Sequence, residues 1–130
     1  MVEKTKKEVL TSPNAPKAVG PYSLGVRSGG FLFLSGQLGL DPDSGEFVEG
    51  GVEGQTRQAL LNIKSVLQEA GSNLSDVVKT SVFLSDIADF PKMNVVYADF
   101  FENDPPARST MQVGALPKSG LVEIEVIAKV

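Results

Sequence analysis

Only two segments of the chain repeat their apolar residues with helical spacing, and this limits the fold to one with two helices. The first segment is Val52–Ala70, and Gly71 follows it as a C-terminal cap. The second begins near Asp89, which suits an N-cap, carries Pro91 in its first turn and must end before Pro105-Pro106. The remaining apolar residues lie in short runs that are typical of β-strands.

These runs alternate with turn signals along the chain. Ser28-Gly29-Gly30 separates two of them and is typical of a hairpin, because glycine accepts positive φ. Asp41–Gly45 predicts a turn, and we expect the short segments on either side of it, within residues 38–48, to pair with each other. The strands predicted in chain order are Glu8–Thr11, Ser23–Arg27, Phe31–Ser35, Val77–Leu84, Arg108–Val113 and Leu121–Lys129.

This order of elements predicts an α+β domain with one mixed sheet and both helices on the same face of it. Several strands, Val77–Leu84 among them, carry apolar residues on both faces. Two helices cover only one face, and self-association is the usual way to bury the other. The sequence therefore predicts an oligomer.

The length of 130 residues fits a single domain, residues 1–130, and we expect residues 1–7 to form a flexible N-terminal arm. The chain contains no cysteine and no histidine. Disulfides, thiolate nucleophiles, metal sites built on these residues and a Ser-His-Asp triad are thereby excluded. Any chemistry must come from carboxylates, Lys, Arg, Tyr, hydroxyls, backbone groups or water.

Sixteen acidic residues outnumber twelve basic ones, which gives a net charge of −4 and a pI near 4.8. Nucleic-acid binding normally needs a basic surface, so we expect no nucleic-acid partner. The N-terminus lacks the apolar core of a signal peptide, and no run approaches about 18 apolar residues. We expect a soluble cytoplasmic protein without membrane contact.

Arg108 and Glu123 are the strongest candidates for chemistry. Arg108 opens a strand directly after the rigid turn 104–107, and its planar fork suits bidentate binding of a carboxylate. Glu123 and Glu125 share one face of the last strand, where a partly buried carboxylate can orient or activate a water. From the residues alone, a structural arginine and a solvent-facing acidic stripe remain open alternatives.

Four further residues are candidates for lining a ligand site. Tyr22 lies in a Gly-Pro loop that leads into a strand, and Ser35-Gly36 ends a very apolar strand, where glycine lets the backbone approach a small ligand. Asn94 lies on the second helix. A packed loop aromatic, an ordinary turn and a surface amide are the alternatives for these positions.

Five motifs, in order over residues 11–128, resemble those of the RidA family, the YjgF-like reactive intermediate deaminases. They are Val19–Ser23, Phe33–Gln37, Val78–Leu84, Pro106–Ser109 and Leu116–Lys118 with Val122–Glu125. Five motifs in register are far more specific than any one of them. The resemblance implies a chorismate-mutase-like α+β fold, assembled as a homotrimer with the sheets inward, the helices outside and the sites in the clefts between subunits.

The activity that this resemblance implies is hydrolysis of 2-iminobutanoate, 2-iminopropanoate and their enamine tautomers to 2-keto acids and ammonia. Such unstable species are released by pyridoxal-phosphate enzymes such as serine/threonine dehydratase, which implies a functional link to them. The resemblance implies no metal and no organic cofactor.

On the same resemblance, Arg108 is similar to the family arginine that grips the substrate carboxylate, and Glu123 to the glutamate at the hydrolytic water. Thr110 stands where many members have cysteine, which excludes thiol chemistry here. The residues similar to those that line the cleft are Tyr22, Ser35, Gly36 and Asn94. The main alternative is a non-catalytic protein that binds or senses 2-keto acids. A nucleic-acid-directed role and a purely structural role are two others.

Overall fold

The sheet at the centre of the molecule has six strands. The computed structural model describes residues 6–130, so most of the predicted N-terminal arm, residues 1–5, lies outside the described residues. Lys6 and Lys7 are exposed and precede the first strand. The elements in chain order are β1 (Glu8–Leu10), β2 (Gly25–Ser28), β3 (Phe31–Leu38), α1 (Gly51–Glu69), β4 (Val77–Leu84), α2 (Phe90–Phe100), β5 (Ala107–Gln112) and β6 (Val122–Lys129).

The strands lie in the order β1-β2-β3-β6-β4-β5. β4 and β5 run parallel to one another, whereas the other neighbours are antiparallel. The predicted mixed sheet is therefore confirmed. β4 and β5 are joined through α2, the crossover that a parallel pair requires.

The predicted hairpin between β2 and β3 is confirmed. Gly29 and Gly30 have φ of +59° and +83°, the two positive values that a tight two-residue hairpin loop needs. The predicted bounds were wrong, since β2 begins at Gly25 and β3 continues to Leu38. Pairing between β3 and β6 shifts register between Leu34 and Gln37, so the strand passes through an irregularity where the sequence indicated its end.

The C-terminal end of each helix lies where the sequence signals predicted it. α1 stops before Gly71, which has φ +82°, and the N–H of Ser72 returns to the carbonyl of Leu67 at 2.8 Å. α2 ends at Phe100, before the two prolines. Asp89 occupies the N-cap position of α2, as predicted, but its side chain makes no capping hydrogen bond. Asp86 accepts the N–H of Ala88 instead and caps a short 3-10 turn that leads into α2.

Both helices pack on one face of the sheet, as predicted. They contact each other, and α1 also contacts β3 and β6. Alternate residues of β6 are buried on this side, whereas the opposite face leaves large apolar side chains about two-fifths exposed. Those exposed side chains are Phe31 at 42%, Phe33 at 41% and Met111 at 42%. No helix within residues 6–130 is long and apolar enough to cross a membrane.

Candidate active site

Arg108 is held in a fixed position by three side chains of α2. Its Nη1 donates a hydrogen bond to Oδ1 of Asn94 at 2.8 Å. Its guanidinium carbon lies 4.6 Å from the ring centroid of Tyr97 and 5.4 Å from that of Phe90, within the range of cation–π attraction. The structure therefore brings two sequence candidates, Arg108 and Asn94, into direct contact.

Arg108 differs from the other two arginines in its lack of a carboxylate partner. Arg27 lies 3.5 Å from a carboxylate oxygen of Glu8, and Arg57 lies 3.4 Å from one of Asp99. Among the described residues, no carboxylate lies within 4.0 Å of the Arg108 guanidinium. Arg108 lines a cavity of about 530 Å³ together with Asn94, Tyr97 and Pro106. A guanidinium carries five N–H groups and Asn94 takes one, so this side chain can still bind a carboxylate through two of them.

Tyr97 and Phe90 were missed as site residues from the sequence. Tyr97 lies one helical turn after Asn94, which is the one signal that could have identified it. Its hydroxyl lies 2.8 Å from Oγ1 of buried Thr80, and burial raises the pKa of Tyr97, against smaller lowering effects of that hydrogen bond and of Arg108. The ring is therefore neutral at physiological pH and serves as a support for the guanidinium.

Glu123 lies against a gap in β3 that only glycine leaves open. A Cβ atom at Gly36 would lie 2.8 Å from Cδ of Glu123 and 3.0 Å from its Oε1. Burial raises the pKa of the Glu123 carboxyl, and the nearby negative charge of Glu125 raises it further. The result is a partly desolvated carboxylate, more basic than an ordinary glutamate, seated on the backbone of Gly36.

The Glu123 carboxyl opens into a cavity of about 210 Å³. Tyr22 and Gly36 line it as well, so three sequence candidates meet there. Ser35 does not line this cavity. Its hydroxyl donates to the carbonyl of Ser23 at 2.6 Å and ties the Tyr22 loop to β3.

Within one chain, the Arg108 group and the Glu123 group do not meet. Arg108 lies opposite Thr80, which is buried on the helix side, whereas Glu123 alternates with buried neighbours in β6 and projects from the other face. β4 separates their strands, and no described residue lines both cavities. The chain therefore holds two separate groups of candidate residues, one around a guanidinium without a carboxylate partner among the described residues and one around a carboxylate with a raised pKa.

Thr110 lies two residues beyond Arg108 on the same side of β5. Its Oγ1 is buried and has no hydrogen-bond partner among the described residues. In the described part of the chain, no group of three or more acidic side chains is placed to hold a metal ion.

Comparison with known proteins identifies the family. The sequence model of the family described as endoribonuclease L-PSP matches residues 12–130. The chain belongs to this family, the RidA or YjgF-like family. The resemblance of the five motifs is therefore confirmed.

Relatives of this RidA-family chain align over almost all of its length. A RutC family protein of Pyrococcus horikoshii is 52% identical over 94% of this chain and 97% of the relative. A 2-iminobutanoate/2-iminopropanoate deaminase of Bos taurus is 48% identical over 94% of this chain and 89% of the relative. The crystal structure of a putative endoribonuclease L-PSP from Entamoeba histolytica has a TM-score of 0.93 at 46% identity, covering 96% of this chain and all of that one. The expected chorismate-mutase-like α+β fold is that of the family and is confirmed.

Proposed function

We propose that this protein hydrolyses 2-iminobutanoate and 2-iminopropanoate, or their enamine tautomers, to the 2-keto acids and ammonia. The observation that carries the proposal is the pair of half-sites, one with a rigid arginine free to bind a carboxylate and one with a basic glutamate beside a cavity. Hydrolysis of a 2-imino acid needs both half-sites, since the substrate carboxylate must be bound while water attacks the neighbouring carbon. The deaminase name of relatives about 48% identical supports the same activity.

Two copies of the chain are needed to build one site, because a single chain holds the half-sites apart. We propose a homotrimer in which the uncovered sheet faces pack inward. The exposed rings of Phe31 and Phe33 and the side chain of Met111 would then be buried, as an apolar face of this kind requires. In a closed ring each interface is heterologous, which allows Arg108 of one subunit to face Glu123 of its neighbour at every interface, and we propose this arrangement.

The arginine half-site binds and orients the substrate. Two N–H groups of Arg108 donate to the two oxygens of the substrate carboxylate, while Asn94 and Tyr97 fix the plane of the guanidinium. A fixed carboxylate leaves the C=N carbon little freedom relative to the neighbouring subunit. The reaction gains from this proximity, because water and imine are held in one geometry.

The glutamate half-site activates water. The Glu123 carboxylate accepts a proton as the water oxygen bonds to the carbon of the N-protonated C=N group, and the electron pair of the C=N bond moves to nitrogen, which gives a neutral carbinolamine. Glu123 returns this proton to the nitrogen and then accepts the hydroxyl proton as the C–N bond breaks, the C=O bond forms and ammonia leaves. The raised pKa of Glu123 makes it a better base than an ordinary glutamate.

The proposal assigns the protein a protective role beside the enzymes that release such imines. Pyridoxal-phosphate-dependent serine and threonine dehydratases produce them in the cytoplasm, so we propose the same compartment. An RNA-cleaving role would follow the name of the family model, but a net charge of −4 does not favour a polyanionic substrate.

The test is a coupled assay in which a threonine dehydratase makes 2-iminobutanoate and the appearance of 2-ketobutyrate is followed. We expect the protein to accelerate keto-acid formation well above the rate in buffer, without added metal and in the presence of a chelator. Binding of 2-ketobutyrate without any acceleration would favour the carboxylate-binding alternative. Acceleration that is lost on chelation and restored by a divalent ion would contradict the metal-free mechanism.

A further inference from the structure

A stripe of polar side chains crosses the face of the sheet that the helices leave uncovered. Glu125 in β6 lies opposite Ser81 in β4, and Ser81 lies opposite Ser109 in β5. All three alternate along their strands with residues of the helix-covered face. Lys79 lies on the same uncovered face of β4, and its Nζ donates a hydrogen bond to Oγ of Ser109 at 3.1 Å. These four residues form what we call the polar stripe.

Apolar side chains flank the polar stripe on both sides. The neighbouring row on one side includes Phe33 and Ile127, and the row on the other side includes Phe83 and Met111. When a second copy covers such a face, charged groups leave water, which is unfavourable unless each charge finds a partner of opposite sign. The polar stripe therefore restricts how a second copy can pack here.

The two charges of the polar stripe do not pair with any described residue of the same chain. No carboxylate lies within 4.0 Å of the Lys79 ammonium among these residues, and no cation lies within that distance of the Glu125 carboxylate. The hydrogen bond to Ser109 holds the ammonium towards β5, whereas Glu125 lies in β6, on the other side of β4. The polar stripe is thus positive at its β5 end and negative at its β6 end.

We infer that the polar stripe is an assembly site for a second copy of this chain, in which Lys79 of one subunit forms an ion pair with Glu125 of the next. This inference rests on the proposed function, which places Arg108 of one subunit opposite Glu123 of its neighbour. Arg108 is next to the β5 end of the polar stripe, and Glu123 lies two residues from Glu125 on the same face of β6. The same approach therefore brings the positive end of one stripe to the negative end of the next, and a closed ring repeats this contact at every interface.

A water-filled space between the subunits is the competing arrangement. Phe33, Lys79, Ser81 and Glu125 line a cavity of about 190 Å³ within one chain, which is large enough for several water molecules. Charges that stay hydrated need no partner, so association would then not require opposite signs at these two positions. A direct ion pair does require them, and reversing the charges separates the two arrangements.

The experiment reverses each charge and then both, and follows the mass of the protein by light scattering on dilution. Lys79→Glu and Glu125→Lys each place like charges at every contact, so we expect either change to weaken association by about thirtyfold or more. The double variant restores opposite signs and should recover most of the lost association. Lys64→Glu reverses an exposed charge on α1, away from this face, and should associate as the unmodified protein does.

Recovered association in the double variant supports the ion pair even where a single variant fails to fold. Single variants that associate as the unmodified protein does, or a double variant as dissociated as the single ones, would overturn the ion pair and leave the proposed deaminase intact. A monomeric unmodified protein would overturn both.

Mixing the two single variants tests whether the pair forms between chains. A mixed trimer joins opposite charges at about two of its three interfaces, whereas a trimer of either variant alone joins like charges at all of them. After the variants are refolded together, we expect affinity-tagged Lys79→Glu to retain untagged Glu125→Lys. Tagged Lys79→Glu should retain much less untagged Lys79→Glu, which is the matched control. Equal retention of the two untagged variants, or retention of neither, would show that no ion pair joins the subunits here.

Discussion

Replacing Arg108 with lysine tests whether this side chain binds the substrate carboxylate through two parallel hydrogen bonds or acts only as a positive charge. Lysine keeps the charge but presents a single ammonium, which cannot donate two parallel hydrogen bonds to one carboxylate. It also loses the planar contact with Asn94 and the rings of Tyr97 and Phe90. We therefore expect Arg108→Lys to lose most of kcat/KM while the fold is retained.

The expected size follows from the contacts that are lost. A hydrogen bond to a charged group contributes about 1.5–3 kcal/mol, and losing one of two such bonds lowers kcat/KM by about ten- to a hundredfold. Arg57→Lys is the matched control, because Arg57 forms an exposed ion pair with Asp99 at 3.4 Å and has no place in the proposed site.

The assay is keto-acid formation from 2-iminobutanoate for both variants, alongside titration with 2-ketobutyrate. Arg108→Lys should weaken keto-acid binding in step with kcat/KM, and Arg57→Lys should change neither. If Arg108→Lys retained full kcat/KM, the guanidinium would not be the carboxylate support, and the role of the arginine half-site would be wrong.

Four further outcomes follow from the half-sites. Glu123→Gln keeps the shape but removes the base, so kcat should fall by about a hundredfold with little change in 2-ketobutyrate affinity; lost affinity would reassign the residue to binding. Glu123 must be ionised to act, and its pKa lies above the ordinary value of 4.5, so activity should fall as the pH is lowered through a pKa above 4.5. Glu125→Gln should lower this pKa, because it removes the nearby negative charge; an unchanged pH–activity profile in Glu125→Gln would exclude the charge coupling. Gly36→Ala should displace the Glu123 carboxyl and reduce kcat, whereas Gly114→Ala, which meets open space, should not; equal activities would show that the close contact is unimportant. Light scattering should give about three times 13.8 kDa, and a monomer at micromolar concentration would remove the shared site.

The parts of the fold that the sequence predicted are those governed by local physics. Gly29 and Gly30 fix a hairpin because few other residues accept two consecutive positive φ values, and the prolines at 105 and 106 must follow the end of a helix. The irregular step in β3 was not predicted, since Ser35-Gly36 is also typical of a strand end. Only pairing with β6, more than eighty residues away, continues the strand to Leu38.

The sequence predicted which residues belong to the candidate site, but it did not predict where those residues lie relative to one another. Arg108 and Glu123 could be singled out by side-chain chemistry, whereas their separation on opposite faces depends on the order of β5, β4 and β6 in the sheet. The aromatic support of Arg108 depends on how α2 packs across β5. The bonding of Ser35 to Ser23 is likewise a tertiary contact that no spacing in the sequence signals.

The central claim, that Arg108 and Glu123 of neighbouring subunits form one site, is tested most directly by mixing subunits. We expect the proposed trimers of Arg108→Lys and of Glu123→Gln each to be weakly active, and unfolding and refolding the two variants together should give mixed trimers. With random assembly in equal amounts, about a quarter of the interfaces pair an intact arginine from one subunit with an intact glutamate from the next. We therefore expect the mixture to recover about a quarter of the unmodified activity. A mixture no more active than its two components would contradict a site shared between subunits.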